Sequence, residues 1–149
     1  MNVISKDIFF KEVESSISSG LPVELCVTGD SMQPYLRGDG SETIIVGTFS
    51  PEKLKVGQIV LFRHEDSHIF HRIIKIKGNR FIMQGDGVVK KQEEALLSDI
   101  IGVVNVIIRP SGKSVSVNRW SHKLYWQSWL LLRPLRRYLL VAYRFFFKK

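Results

Sequence analysis

Cysteine is almost missing from this chain: Cys26 is the single one in 149 residues. One thiol excludes an internal disulfide framework and any cysteine-only metal site. Acidic residues are missing from the last 31 positions, Arg119 to Lys149, which carry eight basic ones. Long apolar runs are missing there too. The longest uncharged run in that segment, Leu124 to Leu132, is nine residues, whereas a membrane-spanning helix needs about 20. Arg133, Arg136 and Arg137 would each cost on the order of 3 kcal/mol at a bilayer centre. The opening "MNVISKDIFFKEVESS" lacks the apolar core of a secretory signal, so none is expected.

What remains is a chain of one-domain length with 44% hydrophobic residues, enough to build a core. Residues 1–118 hold 14 basic and 14 acidic residues, so the net charge of +8 lies wholly in the last 31. All three tryptophans lie there as well. Three regions are expected: a helix in 1–20, a β domain over 21–118 and a basic, aromatic tail over 119–149. Ile4, Ile8, Phe9, Val13 and Ile17 recur near helical spacing, with Gly20 as the stop. "VELCV" after Pro22 alternates like a strand and puts Cys26 in the core as a structural thiol. "TIIVG", "QIVLF", "HIFHRIIKI", "RFIMQG" and "IIGVVNVIIR" are rich in β-branched and aromatic residues between turn formers. The fold class is therefore mainly β: a compact, curled antiparallel domain with a short N-terminal helix and a helical tail.

"VTGDSMQPYLRGDG", Val27 to Gly40, concentrates residues with special demands. Gly29 relieves crowding before Ser31, Met32 is an apolar anchor and Pro34 fixes the backbone after it. Such a segment is either a structural turn or a mount for a serine nucleophile, which needs a base to take its proton. Three of the four histidines lie in "HEDSHIFH". His64 and His68, with Glu65 and Asp66, have the ligand types of a zinc site. Strand alternation, however, sends His68 and His71 to opposite faces, and His64 and His68 flank a turn and read as solvated. His71 sits in an apolar run beside Arg72. Downstream, "MQGDG" supplies Asp86, a carboxylate able to fix an imidazole tautomer.

"GDSMQPYLRGD", "GQIVLFRH", "FHRIIKI" and "FIMQGDG" stand in the order and rough spacing of the type I signal peptidase and LexA-type serine peptidase superfamily, which the chain resembles over Val23 to Ile108. Where the bacterial signal peptidases and LexA-type proteins carry a lysine base, this chain has His71. That resembles the archaeal and endoplasmic-reticulum branch. The resemblance implies Ser31 as nucleophile, His71 as general base and Asp86 as the residue that orients it. Gly38, Asp39 and Arg72 match supporting positions. Gly29 stands where the bacterial enzymes often place a second serine, so backbone N–H groups, that of Ser31 included and Thr28 nearby, must hold the oxyanion. For the branch's second aspartate the chain offers Glu93, Glu94 and Asp99. No metal or organic cofactor is implied. The alternative is a non-catalytic relative that binds a peptide or a partner.

From Pro134 onward, helical geometry puts Arg136, Arg137, Arg144 and Lys148 on one side. Leu135, Tyr138, Leu139, Ala142 and Phe146 fall on another. With Trp120, Trp126 and Trp129 ahead of it, the tail reads as an interfacial helix docking on anionic lipid. Packing on a partner protein or back on the domain are the alternatives. Nucleic acid is disfavoured, because no helix-turn-helix precedes the β region and the tail is rich in aliphatic residues. The expected reaction is cleavage of a leader from a precursor peptide by a protein lying on the cytoplasmic face of a membrane, with an exported orientation left open.

Overall fold

The computed structural model describes residues 6–147. Ile4 and Lys148, which entered the helical patterns above, lie outside the described residues. Helix α1 covers Lys6–Ser18. Val13 and Ile17 are buried and Phe10 packs on the same core. Ile8 and Phe9 are exposed, so the inward stripe keeps the expected Val13 and Ile17 and takes Phe10 in place of Ile8 and Phe9. The helix ends as its glycine dictates: Gly20 has φ +85°, and Leu21 N–H donates to the Ser16 carbonyl at 2.9 Å, which satisfies the last turn.

Among the described residues, eight strands form one open antiparallel sheet: β1 (Val23–Thr28), β2 (Asp39–Gly47), β3 (Ile59–His64), β4 (Ser67–Lys77), β5 (Arg80–Gln84), β6 (Glu93–Leu96), β7 (Ile100–Ile108) and β8 (Ser114–Ser116). The order is β1-β2-β7-β3-β4-β5-β6, with β8 pairing β7. β6 and β8 are short and polar and carried no strand signal in the sequence. β3 shows why the sheet holds two cores. Ile59 and Leu61 join the cluster of α1, β1, β2 and β7, while Val60 and Phe62 join the cluster of β4, β5 and β6. Each of these buried side chains contributes roughly 2 kcal/mol.

Cys26 corrects an expectation. Leu25 and Val27 take the buried phase of β1, so Cys26 is exposed and its thiol meets the Gly40 carbonyl at 3.2 Å. His68 is another correction, since Glu14 of α1 holds its Nε2 at 2.9 Å and Phe10 stacks on its ring.

The tail folds as α2 (Trp120–Leu131), a 3-10 turn over Arg133–Leu135 and α3 (Arg136–Phe147). No helix among the described residues is long and apolar enough to cross a membrane. α2 lies on the β domain. Gly57 makes room for it, because a Cβ there would stand 2.3 Å from Trp126 Cε2. Burial pushes the Tyr35 phenol up to about 12, so it stays neutral, and its hydroxyl shares a hydrogen bond with His122 Nδ1 at 2.7 Å.

Candidate functional site

β1 hands the chain to the serine segment through an irregularity between Cys26 and Thr28. Gly29 (φ +99°) donates to the Gly38 carbonyl at 2.9 Å, and Gly38 (φ +75°) faces back so closely that a Cβ would lie 1.8 Å from Gly29 O. Two glycines thus pinch the base of a loop. Inside it, Met32 and Leu36 are sunk in the core and Leu36 N–H donates to Met32 O at 3.0 Å. The Gln33–Pro34 peptide is cis. Buried Glu42 accepts from Arg37 N–H and from Arg109, both at 2.7 Å. Ser31 is therefore half-buried on a braced turn. Asp39 opens β2, exposed, with its carboxyl held low by bonds from Ser41. Thr28 is exposed at the end of β1.

His71 and Arg72 are neighbours on β4, and their side chains leave opposite faces of the sheet. The His71 Nδ1–H donates to Glu93 Oε2 at 2.9 Å, with both residues buried. That bond fixes the tautomer and leaves Nε2 as the basic atom. The expectation that Asp86 orients His71 is corrected here. Asp86 takes Arg72 instead, accepting from Nε at 2.9 Å and Nη2 at 2.7 Å. Burial opposes the Arg72 charge, but the Asp86 carboxylate outweighs it and the guanidinium is held more firmly protonated. Arg72 also donates to Gly57 O and lies over the Tyr35 ring.

The register explains both pairs. Arg72 faces Gln84, and two residues on, Asp86 returns to the same side. Ile73 faces Met83, and Met83 faces Glu93. Glu93 therefore arrives on the face of Ile73 and His71. In β6 the buried phase is Glu93 and Ala95, with Glu94 and Leu96 outward. The resemblance offered Glu93 only as one of three acids for a second aspartate's place, and four residues are too few to show its buried phase.

Gly85 lies between the Ser31 loop and His71. A Cβ there would be 2.2 Å from the Ser31 carbonyl O and 2.9 Å from His71 Nε2, so the Ser31 backbone and the imidazole both close on the Gly85 backbone, with no room for a methyl between them. Gly87 N–H donates to Ser31 O at 2.8 Å. In this conformation the Ser31 hydroxyl and His71 Nε2 are not hydrogen-bonded, and the Ser31 backbone N–H has no acceptor among the described residues. Gly85→Ala is expected to displace the Ser31 loop, read as faster amide exchange at Gly87, whose N–H bonds Ser31 O, with the far-UV spectrum unchanged. Unchanged exchange in that variant would mean that the loop absorbs the methyl without moving.

The tail residues assigned to a membrane interface divide. Trp129 is buried and its Nε1–H donates to Asp86 O at 2.8 Å. Arg136, 1% exposed, donates to Val88 O and lies over the Trp129 ring. Arg144 reaches Gly87 O at 3.2 Å and Gln33 Oε1 at 3.4 Å. With Trp126 on Gly57, these four face the protein, because the loop carbonyls at 86–88 satisfy cations that lipid phosphates were expected to take. Trp120 and Arg137 are exposed. Tyr143 and Phe147 wall a hollow of about 520 Å³ with Asp30, Gln33, Gly38 and Asp39, directly beside Ser31 in the chain. No family model matches the chain, and no curated protein matches it.

Proposed function

We propose that this chain is a serine peptidase of Ser/His type with a domain of the signal-peptidase and LexA kind, cleaving a leader or signal segment from a precursor. The observation that carries this reading is the buried His71–Glu93 pair, whose Nε2 closes on the same Gly85 backbone as the Ser31 carbonyl. His71 Nε2 takes the Ser31 proton as Oγ attacks the scissile carbonyl. The developing oxyanion receives the Ser31 N–H, in keeping with Gly29 in place of a second hydroxyl. The imidazolium, held by Glu93, returns its proton to the leaving amine, and water repeats the sequence on the acyl-enzyme. Asp86 and Arg72 support the loop.

The proposal extends to place: the basic tail holds the protein peripherally on an anionic membrane surface, on the cytoplasmic side. Protease added to spheroplasts that digests this protein while sparing a cytosolic marker would reverse that orientation.

The test uses a serine-reactive phosphonate probe on the full chain. Parent protein is expected to label at Ser31. Glu93→Gln, which keeps shape and loses the charge, is expected to slow labelling on the order of 1,000-fold. Unchanged labelling in Glu93→Gln would remove Glu93 from the mechanism. The open Ser31–His71 hydrogen bond favours a second reading, a peptide-binding relative without turnover. In that case the parent would bind a leader peptide and never label.

A further inference from the structure

α3 is built inside out. Its inward side carries Arg136 and Arg144, while Leu135 of the preceding turn and Tyr138, Leu139, Val141, Phe145 and Phe146 of the helix point to solvent, the last at 74% exposure. Helical geometry places these six within one continuous sector. No acid occurs from Arg119 onward, and Arg137 is exposed on the same helix. An exposed apolar sector bordered by positive charge alone fits the surface of an anionic bilayer.

The inward side matters equally. Of α3, only Arg136 and Leu140 are fully buried. Twelve residues is about the length at which a helix alone is marginal in water. Docking of α3 is therefore weakly held, the character of a segment that opens locally. Yet what it holds is the loop at 85–88: Arg136 on Val88, Arg144 on Gly87 and Trp129, one helix earlier, on Asp86. That loop supplies Gly87 N–H to Ser31 O and the Gly85 backbone beside His71 Nε2.

We propose that an anionic bilayer takes the outward apolar sector of α3, stabilises its docked form and thereby fixes the 85–88 loop, so that the Ser31 site works faster on a membrane than in solution. Trp129, Arg136 and Arg144 are then positioning residues. The linkage is mass action: a surface that binds only the formed, docked helix raises its population. The rate effect rests on Ser31 being the nucleophile, as proposed above; the effect on the loop does not.

The experiment uses the full chain with phosphatidylcholine vesicles, with and without phosphatidylglycerol. It reads co-sedimentation, Ser31 labelling by the phosphonate probe, and amide exchange at Gly87 and Val88, whose N–H groups are hydrogen-bonded. Anionic vesicles are expected to bind the protein, speed labelling on the order of tenfold and slow exchange at both amides. Phe145→Glu with Phe146→Glu should abolish binding and the acceleration together. Arg144→Gln should keep binding and lose most of the acceleration. Binding that leaves both labelling and exchange unchanged overturns the proposal. So does an absence of binding, or a lipid-free dimer joined through the α3 sector. If exchange slows while Ser31 never labels, the peptidase reading fails and the coupling of lipid to loop stands.

Discussion

Ser31→Ala is expected to lower kcat/KM on a leader peptide on the order of 10,000-fold or more while leaving the melting temperature within about 1 °C, because it removes one half-buried oxygen. The side chain has no hydrogen bond to lose among the described residues, so the fold keeps its contacts. The turn is held by Met32 and Leu36 in the core and by Glu42 beneath, none of which the substitution touches. His71→Ala is expected to match it in rate, and the double variant should be no worse than either single one, since base and nucleophile act as a unit. Rates that multiply in the double variant would mean that Ser31 and His71 do not share a step. Full activity in either single variant would end the mechanism.

Asp86→Ala is expected to act on stability first. It strips the carboxylate from a guanidinium that is 3% exposed, and an ionised group left buried without its partner costs about 3–5 kcal/mol. In a chain of this length that is a fall in melting temperature on the order of 10 °C. Replacing both members, with Arg72→Met beside Asp86→Ala, should recover part of the loss, because the uncompensated charge then disappears. Thermal melts of the three variants decide it. A stable Asp86→Ala single variant would mean that Arg72 finds another partner. Glu93→Gln is the contrast, with a large loss of rate and a small loss of stability, and the two acids separate on these two axes.

That contrast marks where the sequence could and could not be read. β3, β4 and β5 declare themselves by β-branched and aromatic runs between turn formers, and the serine loop by its glycines. The third member of the site did not. Asp86 follows a glycine at a plausible distance from His71, and proximity along the chain favoured it. Pleating decides otherwise: His71 and Arg72 are adjacent, so one acid cannot serve both, and register sends Asp86 to the arginine. Glu93 reaches the histidine only through two strand pairings, one of them to a four-residue strand. The tail differs in another way. Its periodicity shows a basic side and an apolar side, but which of them faces home depends on unpaired carbonyls at 86–88, and nothing in the sequence of the tail reveals those.

The placement of the three site residues has a temporal consequence. Ser31 follows β1 at one end of the open sheet, Glu93 lies on β6 at the other, and His71 sits on β4 between them. No hairpin holds any two of them. β6 must close on β5 before the imidazole tautomer is set, and β1 must join β2 before the serine loop has a base to stand on. In the proposed mechanism a nascent or half-assembled chain therefore has a hydroxyl and an imidazole but no working pair, and hydrolysis would begin only when those strands are paired. On that reading the chain is silent throughout its own synthesis, and turnover would be a direct readout of completed folding.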